Sequence, residues 1–547
     1  MNSSELEKSY RKYFWTGIIG AAIFLILQII PSFAGGLSGE EASGKPVPKA
    51  DAQQAAMAFA RQLTGSEPLT AHTVHQSDRD ITGYLSKEKL AKKFDEGPGK
   101  IVPTDTWQVS LSLPEGQMFV EVGMSSGRVI GWKQVFKPSA GESSDVLAPS
   151  AEQLDRLAAK QAAELGYGKL ERVGESAGYK TVYAVQGGQI GQARLTIEAA
   201  PPSAAAAESG GKTVLAEFTP RYEVPKDYLA YTADQDRIAS SLSLLGNLLP
   251  SGILFILAVI YSVLMRKYSS FRRRGWAISL VFLGFYAVNN VNMLDGLRAM
   301  YGARPNAETV VQVQLVITMG LTFLLALSAY FSLVAGDGLW RAQGRRLWLT
   351  SRESRFGETA WSSMKLAYVL GFILLGLQTV ILVGLSAFTG AWSTSDVTQS
   401  PYNLAAPLLM PLLAWCAAIQ EEAVYRLFGI GLLMKWLKNP FAACLIPTII
   451  WALGHVTYPI YPSTTRLIEL TILGLLFGYI FLRFGFFTAV FAHAIMDSVL
   501  MSISLFLIGG AGNIVAGVVY IAAPAGVAWA MKWYGSRRSS SIPLAPG

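Results

Sequence analysis

Residues 466–508 read RLIELTILGLLFGYIFLRFGFFTAVFAHAIMDSVLMSISLFLI. Two apolar runs, 466–482 and 486–508, flank Arg483. A hydrocarbon core about 30 Å thick takes ~20 apolar residues per helix, so the second run spans it and the first is short for the task. The second run also carries His493 and Asp497. An ionisable side chain inside a span costs roughly 2.5–3.5 kcal/mol on insertion scales, so it needs a reason to be there. The stretch therefore predicts helices that cross a membrane and carry chemistry within it.

Working outward, similar runs occupy 13–34 and about 241–265, 276–294, 310–335, 366–390, 404–434, 441–458 and 512–531. The run 404–434 is long enough to tilt or break, and 441–458 is short. The expected fold is an all-α polytopic membrane protein of about ten transmembrane helices, with an α+β region inserted after the first. Composition agrees. Apolar residues are 51% and charged residues 15% of 547, against about 25% charged in globular proteins, and mean hydropathy is +0.34. That excludes a soluble enzyme, a disordered tail protein and a nucleic-acid reader. The net charge of +8 is no argument for nucleic acid when the cations flank spans. The two cysteines, Cys416 and Cys444, lie in apolar runs, so no disulfide framework or Cys-based metal cluster is possible.

Loop charge sets orientation. The 266–274 loop holds Arg266, Lys267, Arg272, Arg273 and Arg274, and the 341–365 loop is similarly basic, whereas 391–403 has no cation. The positive-inside rule places the basic loops in the cytoplasm, which by alternation puts both termini inside and residues 35–238 outside. The first run could be a secretory signal with a small-residue site near Ala34. Its length, and Glu5 and Glu7 before it, favour an uncleaved anchor.

Residues 35–238 are polar and lack any spanning run. Helix signals at 51–65 and 151–167 are each followed by alternating segments: WQVSLSL (107–113), MFVEVGM (118–124) and RVIGWKQVF (128–136), then TVYAV (181–185), ARLTIEA (193–199) and TVLAEF (213–218). This reads as two small α+β modules in tandem. The pattern WQVSL…FVEVGMSSGRVIGW resembles PepSY modules, which accompany secreted and membrane peptidases. His72 and His75 are expected to be surface histidines without an acidic partner, and Asn289, Asn290 and Asn292 to bond between helices.

The remaining ionisable residues of the spans gather in the last quarter. Glu421, Glu422 and Arg426 sit in IQEEAVYRLF, His455 in WALGHV, and His493 and Asp497 in FAHAIMD. At 1.5 Å per helical residue from the cytoplasmic anchors, Glu421, His455 and Asp497 lie about 21 Å deep and His493 about 15 Å. Glu422 and Arg426, at i and i+4, are expected to pair on one helix face. Glu421 points ~100° away and is free for chemistry. His493 and Asp497 are also i and i+4, and can share a metal or water, or Asp497 can orient the imidazole. Two imidazoles with carboxylates suit a divalent metal such as zinc with a position left for water, and a carboxylate base beside such water is hydrolytic chemistry.

EEAVYR (421–426), WALGH (451–455) and HAIMD (493–497) resemble the three motifs of the CPBP family, the CAAX-protease and bacteriocin-processing group of intramembrane metalloproteases. The second motif carries Trp451 where the family usually has Phe. The resemblance implies a helical protease domain over about 366–532 and a metal-dependent endopeptidase acting on a membrane-associated peptide or protein. By motif position it also implies that Glu421, both histidines and Asp497 form the site. The chain is thus expected to divide into an anchor (1–34), an extracytoplasmic region (35–238), helices with basic loops (239–365), the protease-like domain (366–532) and a cytoplasmic tail (533–547). A proton-coupled transporter and a non-enzymatic scaffold or immunity-type protein are the rival readings. Oligomeric state stays open.

Overall fold

A computed structural model describes residues 3–33, 46–137, 150–176, 180–201, 215–351, 353 and 355–539. The possible signal site at Ala34 and the chain from residue 540 lie outside the described residues. The first helix, α1 (Ser3–Ser32), starts well before the apolar run. It is held by small residues: a Cβ on Gly17 would strike Val369, and one on Gly20 would strike the Phe372 carbonyl. Close backbone approach of this kind is how helices associate without a hydrophobic driving force between them.

Next comes a sheet domain: α2 (Lys49–Thr64), β1 (Thr70–Ser77), α3 (Arg79–Glu88), β2 (Asp105–Leu113), β3 (Gly116–Gly123), β4 (Val129–Phe136), α4 (Ala151–Leu165), β5 (Leu170–Ser176), β6 (Lys180–Ile190), β7 (Ala193–Ala200) and β8 (Glu217–Glu223). Helix α2 buries Ala52, Ala56 and Ala60, and α4 buries Leu154, Ala158 and Ala162, one narrow i, i+4 stripe each. Both end on a left-handed glycine, Gly65 and Gly166. The strands form one antiparallel sheet in the order β1-β2-β3-β4-β8-β7-β6-β5. The two helix-plus-strands units therefore share a sheet, joined where Trp132 pairs with Phe218 and Lys133 with Glu217. Pro220 lies in β8 just past that joint, opposite Gly131, and lacks the N–H that a continuing ladder would use. The strand expected at 213–218 begins at Glu217 instead, and β1 and β5 had no alternating apolar pattern to announce them.

The membrane part holds α5 (Lys226–Leu264), α6 (Arg274–Asn292), α7 (Leu294–Tyr301), α8 (Ala307–Ala342), α9 (Phe356–Thr389), a short strand β9 (Trp392–Ser393), α10 (412–437), α11 (Pro440–Leu453), β10 (Ile460–Tyr461), α12 (Thr464–Phe484), α13 (Phe486–Ile508) and α14 (Ala511–Ser539). Among the described residues, seven helices are long and apolar enough to cross a membrane, or eight if α6 and α7, bent by 44°, make one span. The other two of the ten expected runs do not qualify: α10 is long enough but carries Glu421, Glu422 and Arg426, and α11 is short. The 404–434 run opens with 3₁₀ turns at Pro401–Asn403 and Pro407–Leu409 and becomes helical only at Leu412. The 441–458 run stops at Leu453, before Gly454. At the C-terminus, α14 runs to Ser539, past the boundary expected at 532. Helices α9, α12 and α13 form the centre, with 50–56% of their apolar windows buried, whereas α1, α5, α8 and α14 bury 11–17% and turn apolar faces outward. Of the three asparagines expected to bond between helices, Asn290 does so, donating to Thr322 of α8 (2.9 Å), whereas Asn292 bonds both ways with Ala406 in the turns before α10 (2.7 and 3.1 Å) and Asn289 donates to the nearby Met293 (3.1 Å).

The sheet domain is seated on the loops at one end of this bundle. Trp392 and Tyr461, on the paired strands β9 and β10, are buried in the sheet-domain core. His75 corrects the expectation of a surface histidine: it is 7% exposed, with Nδ1 2.8 Å from Ser400 Oγ and Nε2 3.0 Å from Asp105. Its backbone exchanges two hydrogen bonds with the Asn403 side chain (2.7 and 2.9 Å). His72 is more exposed but also has an acidic partner, Asp295, at 2.8 Å. Both partners are distant in sequence, so no local signal marked them. Burial pulls Asp105 upward, but hydrogen bonds from His75 and its charge prevail and hold the carboxyl below its ordinary value.

Candidate active site

Helix α10 carries the first motif on an unusual turn. It is α-helical over Leu412–Glu421, π-helical over Glu422–Ile430 and α-helical again over Gly431–Leu437. Widened turns of this kind tend to mark functional positions. Here α8 supports it: the Trp340 indole donates to the Leu427 carbonyl (2.9 Å), and Gly336 admits the backbone at Leu427. On another side Pro447 of α11 packs against Gly429. All nine residues of the π segment are buried.

Glu422 and Arg426 meet as expected, at 3.2 Å and 1% exposure or less. Glu422 does more than that clamp, because its Oε1 also lies 2.8 Å from Nδ1 of His493. The Arg426 guanidinium sits over the Trp451 ring at 4.4 Å and the Phe477 ring at 5.3 Å, a cation–π enclosure suited to a dry pocket.

His455 is not in a helix. Helix α11 begins at Pro440, capped by Asn439, and ends at Leu453, so His455 stands in the turn beyond. Its Nδ1 is 2.9 Å from the Trp451 carbonyl. A carbonyl only accepts, so Nδ1 carries the proton and Nε2 presents a lone pair when the ring is neutral. In His493 the ionised Glu422 likewise accepts from Nδ1. Both imidazoles are thus anchored by Nδ1 and aim Nε2 at one group. His455 Nε2 is 3.9 Å from Glu421 Oε1, and His493 Nε2 is 3.9 Å from Glu421 Oε2. Asp497 lies 3.4 Å from the same Nε2 of His493, so Glu422 rather than Asp497 is the carboxylate on Nδ1. The structure thus brings together all six residues singled out from sequence.

Two features escaped the sequence reading. Trp451 is a participant: its indole N–H donates to Glu421 Oε2, a donor that phenylalanine lacks. The signal was present, since a Trp stood where an apolar ring was expected. The second is Arg466, bonded to fully buried Glu469 (2.6 and 2.8 Å), which also accepts from Gln378 (2.7 Å). Arg466 lies over the Tyr458 ring, which abuts His455. The i, i+3 spacing at the start of α12 could have disclosed this pair.

Two imidazole nitrogens and two carboxylates, with Nδ1 tied and Nε2 turned inward, suit a divalent ion in donor type and ring orientation. As packed, among the described residues, no three His, Cys, Asp or Glu side chains close into a ligand group.

Residues 403–499 match the family described as Type II CAAX prenyl endopeptidase Rce1-like. Over those residues the C-terminal domain is similar to the Rce1-like family. That match begins at the 3₁₀ turn before α10 and ends in α13, so it encloses Glu421, Glu422, Arg426, Trp451, His455, His493 and Asp497. The chain is also similar along most of its length to the sporulation-killing factor biosynthesis protein SkfC of Bacillus subtilis (strain 168): 22% identity over 520 residues, 90% of this chain and 95% of that protein. The similarity therefore takes in the sheet domain as well as the Rce1-like domain. No solved structure matches the chain.

Proposed function

We propose that the protein is an intramembrane endopeptidase that hydrolyses a peptide bond of a membrane-associated peptide or protein. The observation that carries this is the convergence of two Nε2 atoms on one carboxylate, each at 3.9 Å. Such gaps exceed a hydrogen bond and suit a bridging water. Glu421 is the general base. Its carboxylate takes a proton from water as the oxygen attacks the scissile carbonyl, and returns it to the leaving amine. Trp451 holds that carboxylate in register. Glu422 and Arg426 fix His493, and the Trp451 carbonyl fixes His455. The aromatic walls, Trp451 and Phe477, exclude competing water and strengthen each electrostatic contact.

A divalent ion, zinc by ligand type, would be held by His455 and His493 with Asp497 and Glu421, and would supply Lewis acidity and a more acidic water. The proposed orientation puts both termini and the basic loops in the cytoplasm and the sheet domain outside. The similarity to a killing-factor biosynthesis protein favours a small peptide or protein as substrate.

The test is cleavage of a fluorogenic membrane-anchored peptide by the chain in lipid nanodiscs. Glu421→Gln should insert and melt like the parent but lose at least ~10²-fold in turnover, the usual lower bound for a general base. Retained turnover would reject the proteolytic reading. Chelation followed by zinc readdition tests the ion separately.

A further inference from the structure

A cavity of about 950 Å³ lies away from the site, bounded by one face of the sheet, the start of α5 and the end of α7. That is the upper end of the range for sites that hold a sizeable ligand. Its walls have a charge bias. Lys133, Arg221, Lys226 and Arg304 line it, and none makes a side-chain salt bridge among the described residues. Two of the lining acids are neutralised: Glu223 by Arg194 (2.7 Å) and Glu198 by Lys180 (3.3 Å). Asp78 is occupied in capping α3, and Asp80 in the same lining remains as one opposing charge. Burial pushes Glu121 up to about 7, so near neutral pH it carries only part of a charge.

The wall also offers backbone. Residues 219–224 all line the cavity, with side chains of both orientations. Pro220 still sits against Gly131 of β4 and offers no N–H, but beyond it β8 is paired with β7 alone, so the open edge is the stretch from Arg221 onward. An extended peptide can add to such an edge by main-chain hydrogen bonds, which a lipid headgroup or free phosphate cannot do. Finally, the cavity shares a wall residue with a second, smaller one. Arg79 lines both, and the smaller reaches Thr457 and Pro459, just beyond His455 in sequence. Arg79 is pinned at this shared wall by Asp236 (2.9 Å) and by the Tyr461 hydroxyl.

We propose that this chamber is a binding site for an extended acidic peptide segment, the polar flank of the substrate whose membrane-side bond is cut. The flank lies along β8 and is held by Lys133, Arg221, Lys226 and Arg304. The peptide's role as substrate rests on the proteolytic reading above; the binding itself does not.

The experiment uses the full chain carrying Glu421→Gln, in neutral phosphatidylcholine nanodiscs, with fluorescence anisotropy of a short glutamate-rich peptide and of its lysine-rich counterpart. The acidic peptide should bind saturably and the basic one should not. Arg221 and Arg304 are both exposed, so Arg221→Glu/Arg304→Glu should fold, as a matching melting temperature would verify. It should weaken binding at least about tenfold, while Arg221→Lys/Arg304→Lys retains it. Equal binding of both peptides, or an unchanged affinity in the charge-reversed variant, overturns the proposal. So does failure of the peptide to bind while phosphatidylglycerol occupies the site. The two readings fail separately. Loss of cleavage in Glu421→Gln without peptide binding keeps the protease and removes the chamber, whereas binding with cleavage unaffected by Glu421→Gln does the opposite.

Discussion

Two of the places where the molecule buries ionisable groups treat them differently. Where the sheet domain meets the bundle, His75 has Ser400 on one ring nitrogen, Asp105 on the other and Asn403 on its backbone. Its polar groups are matched at hydrogen-bond distance, which is what a stable joint requires. Inside the bundle, Nδ1 of each site histidine is matched, while each Nε2 faces Glu421 at 3.9 Å. The first arrangement is closed and the second is open at one common point. Complete pairing serves cohesion. Pairing that leaves His455 Nε2 one contact short, and gives His493 Nε2 only Asp497 at 3.4 Å beside Glu421, leaves room for a reacting molecule.

That contrast can be broken by substitution. The largest effect is expected for Arg426→Met. It leaves Glu422 buried at 0% exposure without its cation, and breaking a buried pair costs about 3–5 kcal/mol. A large fall in detergent melting temperature, together with lost turnover through misplacement of His493, is the expected result. A variant that melts like the parent would show that the clamp is dispensable.

Asn403→Ala comes next. It deletes the side chain that bonds both the N–H and C=O of His75, as well as the Val397 carbonyl (2.9 Å). At roughly 1 kcal/mol per hydrogen bond, with a further cost for groups left unmatched, the joint should weaken by about 2–3 kcal/mol. Increased hydrogen exchange at β1 with turnover per folded molecule preserved would sharpen the contrast. Equal loss of turnover and stability would erase it.

Trp451→Phe is the mildest. It keeps an aromatic under Arg426 but removes the indole donor to Glu421. Turnover should fall about tenfold, near 1.4 kcal/mol, with KM unchanged, because a lost positioning bond acts on the transition state rather than on binding. A raised KM with intact turnover would place Trp451 in substrate binding instead.

What could be read from the chain follows the same physics. The long spans were legible because apolar runs depend on local composition alone, and six site residues stood out because charge is rare in such runs. The helix ends in the Rce1-like domain were less so. His455 looked helical because an apolar run does not register that Gly454 ends α11, and 404–434 looked continuous across Pro407 and Pro411. The π segment had no sequence signal of its own. It depends on Trp340, 87 residues away, for the bond to Leu427. His75 was misread for a like reason, since Ser400 and Asn403 are over 300 residues distant. The joined sheet was hidden too, because two residue pairs between β4 and β8 settle it.

The glycine contact of α1 bears on how the molecule is made. Gly20 meets Phe372 and Gly376, which leave the ribosome roughly 350 residues later. At about 5–20 residues per second, that interval is on the order of tens of seconds. Throughout it α1 lacks the partner of its glycine face, while the sheet domain and the helices α5 to α8 are synthesised behind it. Its outward side chains, Trp15, Ile18, Ile19, Leu25 and Ile26, let it persist in lipid, and its glycine face is a reserved berth that α9 fills when translation reaches it.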